Sequence, residues 1–232
     1  MRIGYFGAAI GSVQQEKNMA VIGNNIANVT KPGYKKDSVH FSNFMNQKTY
    51  TKMDQGRIQR TDNPLDIALN GEGFLRVQTD SGILYTRSGD LRLSNDRTLV
   101  TQEGWPVLSV DGQPIRIMEP EEENRFDLRI EPDGQVFDGE ESVGTISVAQ
   151  FGPDALLKKV ENGYFRPVHG QEQLMTADNY RIEQGALEAS NFNIVEEMVK
   201  MIEVTRVFES YQKILQSFDQ QDSELVRTLG NL

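Results

Sequence analysis

Apolar residues at alternating steps of three and four mark the C-terminal end of the chain. No Gly or Pro occurs between Asn191 and Leu229. Residues at these steps lie on one face of an α-helix, so the segment is predicted to form one long amphipathic helix. We call the positions on this face the C-terminal seam: Met201, Val204, Phe208, Tyr211, Leu215, Phe218, Asp222, Leu225 and Leu229. All except Asp222 are apolar, and another element must cover them because packing supplies most of a helix's stability.

The beginning of this helix is also predicted by its residues. Ser190 and Asn191 are good N-cap residues, and Asn193 is a second choice, because their short side chains accept hydrogen bonds from the first helical N–H groups. Glu196 and Glu197 follow in the first turn, where negative charges interact favourably with the helix dipole. We therefore predict a long C-terminal helix over 190–232.

The N-terminal end repeats this spacing in a weaker form. Its positions, which we call the N-terminal stripe, are Phe6, Ile10, Val13, Lys17, Ala20, Asn24 and Ala27. Several of these side chains are small or polar, and the glycines at 4, 7, 11 and 23 each cost about 1 kcal/mol relative to alanine. We predict a marginal helix over 1–32 that is ended by Pro32 and packs against the C-terminal helix.

Between these helices the sequence changes to the two-residue period of β-strands. Leu128 and Ile130 flank Arg129, and Ile146 and Val148 flank Ser147. Five dipeptides typical of tight hairpin turns separate such runs: Asn70-Gly71, Asp111-Gly112, Asp133-Gly134, Asp138-Gly139 and Asn162-Gly163. We predict an antiparallel β domain over 64–189, with one short helix near 153–159.

The polar segment 33–63 is predicted to be an extended connector. The predicted fold class is therefore α+β, in which the N- and C-terminal helices pair as a coiled-coil-like domain and the central part forms an antiparallel β domain.

Charge and composition exclude several classes of function. The net charge of −10 argues against general affinity for nucleic acid or anionic lipid. Residues 1–60 carry nine Lys or Arg and three acidic residues, whereas 119–141 carry ten acidic residues and two Arg. The simpler interpretation is two solvated surfaces, and the alternative is that regions of opposite charge meet between neighbouring copies.

The chain contains no cysteine, which excludes disulfides and thiolate metal sites. It has no apolar run of about 18 residues that could span a bilayer. Gly4, Gly7 and Gly11 interrupt the first apolar stretch, so we expect no cleaved signal peptide and a different export route if the protein leaves the cytoplasm.

Residues for catalysis, metal binding or cofactor binding are scarce, and we predict no such site. His40 and His169 have no partner at metal-ligand spacing. Ser210 and Lys213 match the S-x-x-K spacing of serine acyl enzymes, but the companion motifs are absent and both lie in the predicted helix. A basic and aromatic cluster that could bind single-stranded nucleic acid is limited to Lys31, Tyr34, Lys35, Lys36 and Phe41.

Three blocks of sequence resemble the flagellar rod and hook protein family. The first is 24–35, an Asn-rich helix end that leads into the turn formed by Pro32, Gly33, Tyr34 and Lys35. The second is 63–74, which is followed by 85–89 and 99–108, and the third is 185–198. The blocks occur in the family's order and frame nearly the whole chain.

This resemblance implies an axial, non-enzymatic protein without cofactors. It implies export through the flagellar type III apparatus, a place in the basal body within the cell envelope, and polymerisation with copies of itself and other rod proteins. The paired terminal helices would line the inner part of a hollow rod. The residues assigned to packing and assembly are the apolar members of the C-terminal seam together with Phe6, Ile10, Val13, Asn24, Asn25 and Asn28.

Within the family, the length and the segment 126–166 are more similar to proximal than to distal rod members. Outside the family, two hypotheses stay open. A secreted fibre or adhesin subunit could also combine paired terminal helices with a β head. An enzyme would have to use the acidic run of Glu121, Glu122 and Glu123, although consecutive carboxylates are far more often solvated than catalytic.

Overall fold

The computed structural model describes residues 2–43, 46–117, 128–152, 155–170, 172–175 and 179–229. The chain forms two compact units. The helical unit consists of Met1–Val29, Lys36–Lys52 and Phe192–Leu232, and the β unit consists of Thr30–Lys35 and Met53–Asn191. Both units are discontinuous in sequence, because the chain leaves the helical unit and returns to it twice.

Two long helices form most of the helical unit. Helix α1 spans Arg2–Ala27 and helix α2 spans Ile194–Leu229. They pack together in an antiparallel arrangement, since Gly4 lies beside Phe218 whereas Gly23 lies beside Met201. The prediction of one helix at each end of the chain is confirmed.

Helix α1 ends five residues before the predicted limit at Pro32. The N–H of Asn28 donates to the carbonyl of Asn25, and the N–H of Val29 donates to that of Ile26. Such bonds to the third preceding residue tighten a last turn and end the helix. The Asn28 side chain also donates to the Asn24 carbonyl at 2.7 Å, so the Asn-rich sequence itself caps the helix.

A β-hairpin completes the helical unit. Strand β1 spans Asp37–Asn43 and pairs antiparallel with strand β2, Asn46–Thr51. Asp37 faces Thr51, whose hydroxyl donates to the Asp37 carboxylate at 2.6 Å. The prediction of an extended connector over 33–63 is thus wrong for this part. The segment is mostly polar and shows no apolar alternation, so its two strands could not be recognised from the sequence. Backbone and cross-strand hydrogen bonds hold them together.

The described part of the β unit contains fifteen short strands in antiparallel pairs. They are β3 Ile58–Arg60, β4 Ile67–Gly71, β5 Phe74–Thr79, β6 Gly82–Thr86, β7 Leu91–Leu93, β8 Leu99–Thr101, β9 Leu128–Ile130, β10 Gln135–Asp138, β11 Glu141–Thr145, β12 Val148–Phe151, β13 Leu156–Lys159, β14 Phe165–His169, β15 Glu172–Leu174, β16 Tyr180–Gln184 and β17 Ala186–Glu188. The largest sheet has the order β13-β14-β6-β5-β12-β15, and smaller sheets pair β11-β10-β9, β16-β4, β17-β3 and β7-β8. The predicted antiparallel β architecture is confirmed.

The predicted glycine turns adopt the left-handed backbone that favours glycine. Gly112, Gly134, Gly139 and Gly163 have φ between 64° and 89°, and the last three connect β9 to β10, β10 to β11 and β13 to β14. Gly71 also has a positive φ, but β4 pairs with β16 and not with β5. The Asn70-Gly71 pair therefore does not close a hairpin.

The short helix predicted near 153–159 is wrong where the structure describes it. Positions 153 and 154 lie outside the described residues, and Leu156–Lys159 is strand β13. Its side chains alternate between exposed and half-buried, and it pairs with β14 through Lys159 and Phe165. The alternation extends over only a few residues here, and so short a pattern does not distinguish a strand from a helical turn.

Aliphatic side chains from β4 to β10, β12 and β16 form most of the core of the β unit. Fully buried members include Ile67, Leu75, Val77, Leu99, Val107, Ile115, Val136 and Ile146. A second cluster of Phe74, Tyr85, Ala149 and Phe165 packs on the large sheet. Burial of this size stabilises the β unit without help from disulfides.

Candidate functional site

The C-terminal seam is the side of α2 that packs on α1. Six of its predicted positions are half-buried, while most of their neighbours are exposed: Met201, Val204, Phe208, Tyr211, Leu215 and Phe218. Asp222 is exposed. Leu225 and Leu229 belong to the helix, but their side chains lie outside the described part of the chain.

The N-terminal stripe does not cover the seam, and that prediction is wrong. Phe6 and Val13 are 62 % and 64 % exposed, and only Ile10 of the apolar members is half-buried. The side of α1 that faces α2 is formed by Gly4, Gly11 and Gly23, together with buried Ala8 and Ser12. Large rings on α2 need space on the opposing helix, and glycine positions supply that space.

Two glycines of α1 each receive one aromatic ring of α2. A Cβ added to Gly11 would lie 2.5 Å from Cζ of Tyr211, and one added to Gly4 would lie 3.1 Å from Cζ of Phe218. The Phe218 ring also packs edge-on against Tyr5, with centroids 6.2 Å apart. Gly4 and Gly11 are one heptad apart, as are Tyr211 and Phe218, so the glycines fix the register of the two helices.

This arrangement predicts opposite effects for two glycine substitutions. We expect Gly11→Ala to destabilise the helix pair by about 1–3 kcal/mol, because Tyr211 must move. Gly7→Ala is the matched control, since nothing beyond the adjoining residues and backbone of α1 lies within 4 Å of its added Cβ. It should stabilise α1 by about 0.5–1 kcal/mol. Helical content measured by far-ultraviolet circular dichroism tests both, and an increase in both variants would contradict the proposed register.

The weak apolar character of α1 also predicts its behaviour in solution. Its contact with α2 uses glycine and small side chains, which bury little apolar area. We expect rapid amide exchange over residues 1–30 of the isolated monomer, since local opening needs little free energy there. Hydrogen exchange followed by mass spectrometry measures this, and protection equal to that of β5 and β6 would contradict the expectation.

Asn25 joins three elements of the helical unit and is fully buried. Its side chain donates to the Asp37 carbonyl at 2.8 Å and accepts from the Asp37 N–H at 3.0 Å, which ties α1 to β1. It also donates to Glu197 of α2 at 3.2 Å. Of the three asparagines predicted to act in packing, Asn25 is therefore buried between elements, whereas Asn24 and Asn28 form the end of α1.

Glu197 is a buried carboxylate that forms ion pairs with two lysines. Lys36 of the connecting segment binds it, and Lys200 donates to it at 2.9 Å. Burial opposes ionisation of Glu197, but the hydrogen bonds from Lys36, Lys200 and Asn25 outweigh burial and hold its pKa below the usual range. Glu197 is therefore charged at neutral pH and links the start of α2 to the residues around Lys36.

The predicted family turn forms part of a buried ion cluster in the β unit, which consists of Lys35, Arg87 and Glu188. The side chains of Lys35 and Glu188 are completely buried, and Lys35 Nζ lies 2.6 Å from Glu188 Oε1. Arg87 lies 3.4 Å from Glu188 Oε2. Burial lowers the pKa of both Lys35 and Arg87, and the Glu188 carboxylate counteracts this effect. Glu188 is thus the carboxylate that both buried cations bind.

The same cluster fixes the backbone of the turn. The N–H of Gly33 donates to the Glu188 carbonyl at 2.6 Å, and the N–H of Gly56 donates to Glu188 Oε1 at 2.8 Å. Gly33 has φ +65°, and a Cβ there would lie 2.3 Å from the carbonyl carbon of Arg87. Tyr34 is buried beneath Lys159, whose Nζ lies 3.6 Å from the ring centroid. The Pro32 to Lys35 turn is therefore a packed internal feature of the β unit.

The acidic run of Glu121, Glu122 and Glu123 lies outside the described residues. The other candidates for chemistry have structural roles or are exposed. Lys35 and Lys36 bind Glu188 and Glu197 internally. The Ser210 hydroxyl donates to the Arg206 carbonyl of its own helix at 2.9 Å. His40 and His169 are exposed. Across the described ranges, no three His, Asp or Glu residues lie where they could hold a metal ion. In those same ranges, neither helix has the length and apolar character needed to cross a membrane.

Sequence comparisons place these features in a known family. The family described as "Flagellar basal body rod FlgEFG protein C-terminal" matches residues 183–228, which include Glu188, Glu197 and most of α2. The family described as "Flagellar hook protein FlgE/F/G D1 domain" matches residues 68–137 of the β unit.

Individual relatives match along almost the entire chain. The flagellar basal-body rod protein FlgG of Bacillus subtilis is 30 % identical over 247 aligned positions, covering 91 % of this chain and 93 % of FlgG. The rod protein FlgF of Caulobacter vibrioides is 30 % identical over 239 positions, covering 93 % of both chains. The FlgF of Mesorhizobium japonicum is 27 % identical, also with 93 % coverage of both. This chain belongs to the family of flagellar basal-body rod proteins.

Proposed function

We propose that this chain polymerises with copies of itself and with other rod proteins to build a torque-transmitting part of the flagellar rod. Membership of the family makes it a structural subunit of the flagellar basal body. Torque transmission requires a stiff assembly and no turnover of substrate. The proposed role is therefore non-enzymatic and needs no cofactor.

The exposed apolar sides of the two helices carry this proposal. Helices α1 and α2 each bury one side against the other, yet Phe6, Val13 and Ile202 remain more than half exposed. Contiguous exposed apolar side chains on a helix are typical of a surface that another chain covers. Assembly of many copies would bury these side chains, and dense helix packing would supply stiffness.

We further propose that α1 and α2 pair in a coiled-coil-like manner as the inner part of the rod. The three-four spacing of the C-terminal seam and the heptad separation of the Gly4 and Gly11 contacts support this geometry. In this arrangement 1–32 and 190–232 form the inner helical domain and 64–189 forms the outer β domain. Phe6, Ile10 and Val13 would then act between subunits and not within one.

The proposed partners are rod proteins and the flagellar type III export apparatus, with neither nucleic acid nor membrane among them. Within the rod we propose a proximal position, with a distal position as the alternative. The chain length and the segment 126–166 support the proximal position. Relatives with the names FlgF and FlgG match at similar identity.

Deletion of the gene tests the proposed function. We expect basal bodies purified from the deletion strain to lack a complete rod by electron microscopy, and the strain to be non-motile until the wild-type chain is restored. Complete rods and normal motility in the deletion strain would overturn the proposal. Loss of adhesion in such a strain would instead favour a secreted fibre or adhesin.

A further inference from the structure

The helical unit exposes two apolar patches that the contact between its helices does not cover. The α1 patch consists of Ile3, Phe6 and Val13, and the α2 patch consists of Val195, Met198, Val199 and Ile202. All seven side chains are exposed, from 47 % for Met198 to 91 % for Ile3. Each patch covers two to three turns of its helix, so the two are similar in length.

The patches lie on opposite faces of the helix pair. Successive residues turn by about 100° around a helix axis. On α2 this places Val199 and Ile202 on the side away from Tyr211 and Phe218, which pack on α1. On α1 it places Phe6 and Val13 on the side away from Gly4 and Gly11, which pack on α2. Each patch therefore faces outward from its own helix.

The patches also lie at opposite ends of the pair. Ser12 contacts Gln212, Met19 contacts Thr205, and Asn25 contacts Glu197. Along this antiparallel register the α1 patch is level with the later part of α2, whereas the α2 patch is level with the end of α1. The centres of the two patches are about 16 residues apart, which corresponds to roughly 25 Å at ~1.5 Å per residue.

The side chains of the two patches suit each other. The α1 patch presents the rigid ring of Phe6, and the α2 patch presents the flexible thioether of Met198 between β-branched neighbours. A methionine sulfur packs favourably against aromatic rings and adapts its shape to them. One copy therefore carries both halves of an apolar contact.

We infer that the α1 patch of one copy packs on the α2 patch of the next copy. This inference rests on the proposed function and specifies which surfaces meet. Because the two patches differ, the contact is heterologous and leaves one free patch at each end of a growing row. A contact of α1 patch with α1 patch would instead close a dimer and leave both α2 patches exposed. The offset along the helix pair displaces each copy axially from its neighbour.

Engineered cysteines test this inference directly, since the natural chain has none. Val13→Cys and Val199→Cys are introduced singly and together, and basal bodies isolated from complemented strains are oxidised. We expect the double variant to form a ladder of covalent dimers, trimers and longer products. Each single variant should stay monomeric, and co-expression of the two single variants should give dimers only.

A second pair isolates the axial offset. Gln220 lies on the same side of α2 as Ile202 but near its other end, so Val13→Cys with Gln220→Cys should not cross-link. Dimers formed by a single variant, cross-linking of the Gln220 pair, or a covalent product with a different rod protein would each overturn the inference. These outcomes all require the chain to be present in basal bodies. Its absence from the basal bodies, with motility unchanged, would contradict the proposed function itself.

Discussion

Glu188→Ala is expected to destabilise the β unit by about 3–5 kcal/mol, because it removes the carboxylate that two buried cations bind. Lys35 and Arg87 both bind this carboxylate, and the Glu188 and Lys35 side chains are 0 % exposed. The substitution also removes the acceptor of the Gly56 N–H. Loss of one partner of a buried pair costs more than the pair contributes, since the remaining charges cannot reach water.

The single tryptophan provides a specific measurement of this effect. Trp105 lies in the β unit and packs edge-on against Tyr164, with ring centroids 4.6 Å apart. Urea unfolding followed by its fluorescence therefore reports the β unit. We expect a large decrease in the midpoint for Glu188→Ala.

Glu183→Ala is the matched control for this prediction. Glu183 is exposed on the neighbouring strand β16 and accepts one hydrogen bond from Asn70. Its removal should change the free energy of unfolding by less than about 0.5 kcal/mol. Equal midpoints for the two variants would show that the buried ion cluster does not stabilise the β unit.

Phe208→Glu is expected to prevent assembly while the β unit remains folded. Phe208 lies at the middle of the C-terminal seam and is half-buried. A carboxylate at this position would have to be desolvated against α1, and an unpaired buried charge is strongly unfavourable. Because α1 is only marginally stable, the two helices should separate and leave the new carboxylate in water.

Three measurements separate this outcome from general unfolding. The tryptophan fluorescence midpoint should equal that of the wild type, helical content should fall, and motility in a complemented deletion strain should be lost. Gln216→Glu places the same charge at an exposed position about two turns further along α2, and it should keep motility. Normal rods in the Phe208→Glu strain would show that the C-terminal seam is not required for assembly.

The sequence was sufficient to predict the elements with strong periodicity. The seam from Met201 to Phe218 has large apolar residues at every step, so its position and its packing side follow from spacing alone. The antiparallel β unit follows from short alternating runs and from glycines that adopt positive φ. The hairpin of β1 and β2 was missed because its residues are largely polar and its stability comes from hydrogen bonding across strands.

The face of α1 could not be predicted from apolar residues. Phe6 and Val13 appear in the sequence as the natural partners of the seam, yet glycines face α2 because they admit the rings of Tyr211 and Phe218. Sequence spacing does contain a signal for this arrangement. Gly4 and Gly11 are one heptad apart, and so are the two aromatic residues. This equal spacing identifies the contacting residues only if the two helices are known to pair in antiparallel directions.

The buried acids Glu188 and Glu197 were not identified as site residues, although both lie within the family block 185–198. An acid in a strand is normally read as exposed, whereas Glu188 shares the inner side of β17 with Ala186. The consecutive lysines 35 and 36 provide the missing signal, since each binds one of these two acids. Pairing of distant opposite charges is visible in three dimensions and not in the linear order of the residues.

The claim that this chain is a subunit of the flagellar rod is tested most directly by the position of a labelled copy in purified basal bodies. A short peptide tag inserted after Gly139 would lie in the exposed turn between β10 and β11. Immunogold electron microscopy of basal bodies from a motile, complemented strain is expected to show the label on the rod. Label absent from every basal body, or present only on structures outside the rod, would contradict the account of this chain as a rod subunit.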